Sequence, residues 1–337
     1  MTQLYLIRHA EAEGNIYRRL HGQYDSLLTA NGLRQVQALR KRFSDLRIDA
    51  VYASDLTRTC QTAQAITLPK GLPLHRDARL REVGVGIWEG CCFGELEQSA
   101  PEQLRCFLRD PEHWHVEGAE SFEAYSARFA AALTEIAEAN DGKTVAVFTH
   151  GCVLSGGLHR LLGLPHNASA CDNTGVSLLR FEDGRFTPVF LFDSSHLSED
   201  LSTHARQRWW REKGGFNLRF RDPEPADSAL FDEDCLPRPS CELRVAMLKD
   251  EAVGCVGWRG DTLSVLYLRP DFRHIRMGDQ LIGEAVQTLR GRGCERLIAS
   301  FPTVNREALC FFTHLGASVE QMDDVFTVCA LALTAPV

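Results

Sequence analysis

Two short apolar runs of this chain end close to a histidine, and the first also brings an arginine. Leu4–Ile7 stops at Arg8 and His9, and Val145–Phe148 stops just before His150. Buried strands of an open α/β sheet deliver such polar residues to their carboxyl ends, where these sheets bind ligands. A guanidinium fork can hold an oxyanion while a ring nitrogen attacks it or moves a proton. Taken alone, each group is equally compatible with a solvated strand end.

A second arginine and a glutamate follow in segments of their own. Residues 50–54 predict a strand, and the next helix is expected to place Arg58 in its first turn, with Ser54 or Asp55 as its cap. A helix N-terminus favours an anion at that position. Glu82 precedes a glycine-rich loop that also carries a tryptophan. These residues add a cation and a carboxylate to the candidate site.

In their order along the first two hundred residues, these elements resemble the histidine phosphatase superfamily, the phosphoglycerate-mutase-like group. The matching positions are Arg8-His9, Asp25…Leu27…Thr29…Gly32…Gln35, Ser54…Arg58-Thr59…Gln61-Thr62-Ala63, Glu82…Gly86…Trp88-Glu89-Gly90, Glu120-Ser121…Arg128 and Thr149-His150-Gly151. Ala10-Glu11 after the first histidine and Gly151 after the second are similar to the first branch of that superfamily. Ala10 stands where glycine is usual, and its methyl group adds strain if the position needs a positive φ.

The resemblance implies a role for each candidate residue. His9 is expected to attack a phosphoryl group in its neutral form and give a phosphohistidine. Arg8, Arg58 and His150 would hold the phosphoryl oxygens, and this positive cluster would also resist protonation of His9. Glu82 would protonate the leaving alkoxide and then activate water, with no metal or other cofactor. The expected substrate contacts are Asn15, Gln23, Gly151 and Asn173.

Several neighbouring residues leave alternatives open. Glu89 lies near Glu82, and only the resemblance favours Glu82 as the acid. Arg18, Arg19 and His21 could widen the anion site, although a surface role is the simpler interpretation. Trp88 is expected to pack in the core, whereas Trp114 and His115 are candidates for substrate contact.

The segment of residues 82–90, called the acid loop below, resembles that of broad phosphatases. Mutases of this branch tend to carry a tyrosine in this loop, and this segment has none. Hydrolysis of a small phosphomonoester is therefore the first expectation and a phosphoglycerate-type mutase the second. A rival from another class is a regulatory pseudoenzyme that binds a metabolite or CoA. The substrate itself is set by loop shape, which the sequence does not give.

Composition mainly excludes classes of partner. The 337 residues predict two domains, and the formal net charge of −8 argues against nucleic acid and anionic membranes as partners. The start of the chain shows no signal-peptide pattern and no run long enough to span a bilayer, so a cytoplasmic location is expected. The twelve cysteines show no zinc or CxxC spacing, which favours reduced thiols. Oligomeric state cannot be predicted.

The C-terminal stretch alternates between strand and helix patterns and resembles the GNAT acetyltransferase superfamily over residues 216–333. The pattern predicts strands near 218–221, 241–248, 253–258, 263–268, 296–301 and 325–328, and helices at 278–290 and 305–315. The residues that carry the resemblance are Leu266-Tyr267-Leu268-Arg269-Pro270, Arg273…Gly278…Leu281 and Asn305…Ala308…Phe311-Phe312…Leu315-Gly316-Ala317. Short, proline-limited helices are expected between residues 220 and 241.

The GNAT resemblance implies a site for acetyl-CoA, whose pyrophosphate would bind the loop before the long helix. The expected contacts are Leu268, Arg273, Arg276, Gly278 and Asn305. Arg276 replaces the usual first glycine, and Phe312 stands where a tyrosine often protonates the CoA thiolate. Active acetyl transfer and non-catalytic binding of acyl-CoA therefore both stay open.

The chain is thus predicted to be an α/β protein of two domains. A three-layer α/β/α phosphoglycerate-mutase-like domain occupies residues 1–200 and closes with a hairpin at 176–192. Residues 201–215 are expected to form a linker, and residues 216–335 an α+β GNAT-like domain that binds acyl-CoA.

Overall fold

The structure, a computed structural model, describes residues 1–166, 171–208, 216–229 and 241–334. Two compact units make up the chain: Met1–Ala12, Leu20–Glu89 and Ala100–Arg211 form the first, and Glu13–Arg19, Gly90–Ser99 and Glu212–Val337 form the second. Two short segments of the N-terminal half therefore fold with the C-terminal half, which no sequence pattern indicated. The predicted boundaries at residues 200 and 216 stay predictions, and residues 209–215 of the predicted linker lie outside the described residues.

A six-stranded sheet forms the centre of the first unit. Its strands are β1 (Thr2–Arg8), β2 (Ala50–Ala53), β3 (Leu74–Arg76), β4 (Thr144–Thr149), β5 (Val176–Glu182) and β6 (Arg185–Asp193). They lie in the order β3-β2-β4-β1-β5-β6. The first four strands of this order are parallel, whereas β5 and β6 are antiparallel to their neighbours and form the predicted hairpin.

Helices cover both faces of this sheet. In chain order the α-helices of the described residues are α1 (Glu13–Tyr17), α2 (Ala30–Arg42), α3 (Thr57–Lys70), α4 (Phe93–Ser99), α5 (Pro101–Arg109), α6 (Phe122–Ala139), α7 (Gly151–Leu162), α8 (Thr203–Arg206), α9 (Met277–Gly291) and α10 (Arg306–Leu315). Tyr5 and Ile7 of β1 pack with α2 and α3, whereas α6 and α7 contact the same strand from the face that Leu4 and Leu6 occupy. All four side chains are buried, as expected for a central strand of a three-layer α/β/α fold.

The second unit is built on a seven-stranded sheet. Its strands are β7 (Arg219–Arg221), β8 (Glu242–Leu248), β9 (Glu251–Arg259), β10 (Thr262–Leu268), β11 (Arg296–Pro302), β12 (Ser318–Met322) and β13 (Phe326–Ala332), in the order β12-β13-β11-β10-β9-β8-β7. The two central strands, β10 and β11, are parallel and pair at Thr262 and Ile298, near one end of each. Beyond that point the two strands do not pair, and residues of both line a cavity.

The core of the second unit lies beneath its long helix α9. Leu281, Ile282 and Ala285 of that helix are completely buried with residues of the sheet, and Ile16 and Tyr17 of α1 join the same cluster. Gly283 permits this contact, because a Cβ atom there would lie 2.6 Å from the Cβ of Tyr17.

Most predicted elements of the second unit are present within a few residues of their expected ends. Strand β12 was missed, since its residues are exposed and show no alternation. Gly316 ends α10 at a φ of 90°, as a left-handed C-cap does. The short helices predicted between residues 220 and 241 lie largely in residues 230–240, outside the described residues. Among the described helices, none has the length and apolarity needed to cross a membrane.

Candidate active site

The carboxyl ends of three adjacent strands bring the first site together. Arg8 at the end of β1 pairs in register with Thr149 at the end of β4, so His9 and His150 follow side by side. Their ring centroids lie 5.3 Å apart. Ser54 follows β2 at the same edge, and its N–H donates to the carbonyl of Phe148. These residues lie at the carboxyl ends of their strands, as the sequence indicated, and the register of the strands brings them together.

His9 is held as a neutral base with one nitrogen free. Its Nδ1 lies 2.7 Å from the carbonyl oxygen of Ala10, and because a carbonyl can only accept, Nδ1 carries the proton. The lone pair is then on Nε2. Burial, and then the charges of Arg58 and Arg8, lower the pKa of His9 well below the usual histidine value. A buried imidazole in this state is a competent nucleophile near neutral pH.

The backbone around His9 is fixed by residues far away in sequence. Asn173 donates from Nδ2 to the His9 carbonyl at 3.0 Å, and Thr62 accepts from the Ala10 N–H at 2.9 Å. Asn173 is buried and holds the nucleophile's backbone, and its contact with substrate stays a prediction. Ala10 is absent from the residues with positive φ, so the strain considered for its methyl group does not arise.

Arg58 lies in the first turn of α3, as predicted, and is completely buried. Its Nε donates to Nδ1 of His150 at 3.2 Å, which leaves the proton of neutral His150 on Nε2, 2.9 Å from Ser54 Oγ. Burial lowers the pKa of His150 well below the usual value, and Arg58 lowers it further. The two side chains thus form one rigid, cationic group.

The helix cap expected from Ser54 or Asp55 is wrong. Leu56 is the N-cap residue and makes no side-chain cap, and Asp55 forms an ion pair with Arg81. The N–H of Thr57 is instead bound by Asp25, whose Oδ1 accepts it at 2.8 Å. A carboxylate distant in sequence therefore caps the helix that presents Arg58.

Arg8 supplies a further cation with an unused donor. Its Nη1 donates to the Cys171 carbonyl at 2.6 Å. Its Nε is buried and has no hydrogen-bond partner within the described part of the chain. Buried guanidinium donors are normally satisfied, so this one indicates a place for an oxyanion.

Glu82 lies at the N-terminus of α7. Its carboxylate accepts from the N–H groups of Val153 at 2.8 Å and Cys152 at 3.1 Å in the first turn of that helix, and from Val83 at 3.1 Å. Burial, and next the Glu82 charge, raise the pKa of the Cys152 thiol well above its usual value, so Cys152 stays protonated and is no rival nucleophile. Gly151 begins α7 and is buried beside this carboxylate.

Side chains from other segments of the chain hold the loop that carries Glu82. Arg128 forms an ion pair with Glu120 and donates to the backbone carbonyls of Arg79, Arg81 and Glu82. Glu120 in turn accepts from the Gly84 N–H at 2.8 Å. Gln23 donates to the Glu82 carbonyl at 3.1 Å, so its amide supports the acid loop, and its contact with substrate stays a prediction.

His21 lies in the site, although the sequence favoured a surface role for it. Its ring meets that of His9 edge to face at 5.7 Å, and its Nδ1 lies 3.1 Å from Ser26 Oγ. Burial, then Arg58 and Arg8, lower the pKa of His21 well below the usual value. The signal was its place directly before Gly22 in the loop that leads to Asp25.

The other residues weighed at sequence level lie elsewhere. Arg18 donates to Asn217 and Arg19 pairs with Glu284, all within the second unit, to which Asn15 on α1 also belongs. Trp88 is buried in the core as predicted, and Trp114 packs beside it with ring centroids 5.9 Å apart. His115 is exposed.

The second unit has a cavity of about 780 Å³ at the expected CoA position. The predicted contacts Leu268, Arg273, Arg276, Gly278 and Asn305 all line it. Arg276 is the N-cap of α9 with a φ of 59°, so the left-handed turn that glycine normally provides is kept by an arginine. Asn305 caps α10, accepting from the Ala308 N–H at 3.0 Å.

Phe312 lines this cavity, and its side chain has no polar group. It is buried and stacks on Phe301 with ring centroids 5.6 Å apart. The position where the resemblance leads one to expect a proton-donating tyrosine is therefore part of the hydrophobic core here. The lining of the cavity combines apolar side chains with the arginines Arg273, Arg276 and Arg306, which suits an elongated anionic ligand.

Comparison with known proteins identifies a family for each half of the chain. Residues 4–194 match the model of the histidine phosphatase superfamily (branch 1), and residues 204–317 match that of the acetyltransferase (GNAT) family. The chain belongs to the histidine phosphatase superfamily, branch 1, and carries a C-terminal GNAT domain, so both resemblances are confirmed.

Three relatives illustrate the match of the first unit. Phosphoserine phosphatase 1 of Hydrogenobacter thermophilus is 30% identical over 202 residues, which cover 59% of this chain and 96% of that protein. A protein named Probable phosphoglycerate mutase GpmB from Enterobacter sp. (strain 638) is 35% identical over 165 residues, 49% of this chain and 77% of that one. The structure of YhfR from Bacillus stearothermophilus has 30% identity and a TM-score of 0.56, covering 59% of this chain and all of that one.

Proposed function

We propose that the first unit hydrolyses a small phosphomonoester through a phosphohistidine on His9. The observation that carries this proposal is the buried, neutral His9 with its lone pair on Nε2, beside the guanidinium of Arg58 and the Nε of Arg8, which has no partner among the described residues. Phosphoserine and related small phosphates are the substrate class that the names of the relatives suggest.

The first step forms a P–N bond and breaks the P–O bond to the leaving group. Nε2 of His9 attacks phosphorus, and Arg8, Arg58 and His150 bind the phosphoryl oxygens as their charge redistributes. The alkoxide takes a proton from the carboxyl group of Glu82, which becomes a carboxylate.

The second step returns the enzyme to its starting state. Glu82 accepts a proton from water, whose oxygen attacks phosphorus while the P–N bond breaks and the electron pair returns to Nε2. Inorganic phosphate then leaves. A mutase would transfer the phosphoryl group back to a second hydroxyl instead, and the relative named as a probable mutase keeps that alternative.

The test is to trap the intermediate. A labelled phosphodonor should leave acid-labile, base-stable label on His9, and His9→Ala should abolish label and turnover, whereas the exposed His113→Ala should change neither. A panel of sugar phosphates, phosphoglycerates, phosphoserine and nucleotides, assayed for free phosphate and for isomerised product, separates hydrolase from mutase. Label that persists in the alanine variant would exclude His9 as the nucleophile.

For the second unit we propose binding of an acyl-CoA in the cavity before α9, without efficient acetyl transfer. The arginines of the cavity lining and the retained turn at Arg276 support binding, and the buried phenyl ring of Phe312 stands where the resemblance implies a proton donor. Calorimetry with acetyl-CoA tests binding, and release of free CoA thiol in the presence of amines tests transfer.

A further inference from the structure

The acid loop holds a second carboxylate whose contacts differ from those of Glu82. Glu89 accepts from the backbone N–H groups of Gln23 at 2.7 Å, Tyr24 at 3.2 Å and Val85 at 3.4 Å. Hydrogen bonds to an ionised acceptor are among the stronger ones in proteins. This carboxylate therefore ties the loop of residues 22–24, called the carbonyl loop below, to the acid loop.

The carbonyl groups of the same loop bind the phosphate clamp. Arg58 donates from Nη2 to the Gly22 oxygen at 2.7 Å and from Nη1 to the Tyr24 oxygen at 3.0 Å. The carbonyl loop thus binds Glu89 through its N–H groups and Arg58 through its carbonyl groups.

The approach of the carbonyl loop to Glu89 requires glycine at position 22. A Cβ atom on Gly22 would lie 2.4 Å from Glu89 Oε1 and 2.5 Å from the Val83 carbonyl oxygen. Neither distance is tolerated by a real side chain, so any larger residue must move the loop. The contact is therefore close enough to set the position of the loop.

The guanidinium has little freedom beyond these anchors. Arg58 is fully buried, and its Nε is bound to His150. Burial lowers the pKa of Arg58, and the negative charges around it, those of Glu82 and Glu89 included, oppose this effect. Because both anchoring carbonyls belong to the loop that Glu89 fixes, displacement of that loop must rotate or shift the guanidinium.

We propose that Glu89 is a positioning residue for phosphoryl transfer, which holds the carbonyl loop so that Arg58 and His150 meet the phosphoryl group. This inference rests on the proposed hydrolase function. It separates the two carboxylates of the acid loop: Glu82 lies at the N-terminus of α7 and exchanges the proton, whereas Glu89 acts through Arg58.

The experiment compares Glu89→Gln with Glu82→Gln, Arg58→Ala and the double variant Glu89→Gln/Arg58→Ala, with the exposed Glu138→Gln as the matched control. The readouts are vanadate inhibition and kcat/KM for an aryl and an alkyl phosphate. Glutamine keeps the shape but loses the charge, and its amide NH₂ cannot accept a backbone N–H. We expect Glu89→Gln to weaken vanadate binding about tenfold and to slow both substrates by the same factor.

The double variant decides whether Glu89 acts through Arg58. If it does, adding Glu89→Gln to Arg58→Ala causes little further loss. Losses that multiply, or a loss confined to the alkyl phosphate, would overturn the proposal, as would vanadate affinity equal to that of the wild type. A wild-type protein that neither binds vanadate nor hydrolyses any phosphomonoester would instead refute the proposed function itself.

A second variant covers the case in which Glu89→Gln fails to fold, as judged by circular dichroism. Gly22→Ala keeps the carboxylate but forces the carbonyl loop away from it, so it should reproduce the loss of vanadate affinity and the lack of leaving-group dependence. Unchanged vanadate affinity in a folded Gly22→Ala protein would also overturn the proposal.

Discussion

The two anion-binding regions of this chain differ in how their cations are held. In the first unit Arg58 is fully buried and each of its three nitrogens has a fixed protein partner. In the second unit Arg273 and Arg306 line the cavity but are exposed. Electrostatic stabilisation of a transition state needs fixed, desolvated donors, whereas binding of a flexible ligand does not. This difference favours the proposed catalysis at the first site and the proposed ligand binding at the second.

The same contrast extends to the groups that move protons. The first unit places Glu82 on a helix N-terminus beside a protonated thiol and a neutral nucleophile. The second unit puts Phe312 where the resemblance leads one to expect a tyrosine, and packs it into the core. Loss of a proton donor at that one position is expected to lower acetyl transfer more than ligand binding.

Glu82→Gln should give the largest loss of activity. A small loss would contradict the contrast between the two sites. Without a proton donor, an alkoxide leaving group must depart as a strong base, so kcat for alkyl phosphates should fall about 10²- to 10⁴-fold. Aryl phosphates with acidic leaving groups should lose much less. Steady-state kinetics on both substrates, with Glu138→Gln as control, provide the test, and equal losses would mean that Glu82 positions the site only.

Arg58→Ala should come next in size. Loss of a buried, charge-assisted contact is expected to cost about 2–3 kcal/mol of vanadate binding, roughly a hundredfold in the inhibition constant. Arg40→Ala removes an exposed guanidinium from α2 and should leave that constant unchanged. If the Arg58 variant bound vanadate as the wild type does, the arginine would not belong to the clamp.

The extent to which sequence predicted this site follows from the range of the contacts involved. His9, Arg58 and His150 were predictable because each follows a periodic strand or begins a helix, and strand register then brings them together. The supporting contacts were not, since Asp25 to Thr57 and Asn173 to His9 join distant segments through side-chain to backbone bonds. Such bonds leave no periodic signal.

His21 and β12 show the same limit in two forms. His21 looked like a surface residue, because a lone polar side chain in a loop has no pattern that reports its burial. Strand β12 was missed because both of its faces are exposed, so no alternation marks it. The segment containing α1 was assigned by chain order, whereas packing places it in the second unit, and packing between distant segments is not written in any local pattern.

Acid should destabilise the fold by a smaller, graded amount. Burial lowers the pKa of His9, His21 and His150, and lowers those of His166 and His196 to about 4. Histidines of the unfolded chain have a pKa of about 6.5. Between that pH and the lower pKa values of the folded state, the unfolded chain therefore binds more protons than the folded chain. The free energy of unfolding should therefore fall as pH drops below about 6.5.

Urea unfolding at intervals from pH 7.5 to 4.5 measures this dependence. Each fully buried imidazole contributes at most about 1.4 kcal/mol per pH unit. His196→Gln should reduce the slope, whereas His115→Gln, at an exposed position, should not. A free energy of unfolding that stays constant over this range would show that these rings are not neutral and buried in solution.

The smallest effect is expected in the second unit. Acetyl-CoA should raise its melting temperature by a few degrees, because the ligand binds only the folded state. Gly278→Asp should remove this shift, since its Cβ would lie 3.0 Å from the Phe311 ring and its carboxylate would repel the pyrophosphate. Gly291→Asp puts the same side chain at the far end of α9, where a Cβ meets nothing within 4 Å, and should keep the shift. If wild-type protein shows no shift at millimolar acetyl-CoA, the second region does not recognise this ligand. The contrast drawn above would then be between a catalytic site and a structural domain.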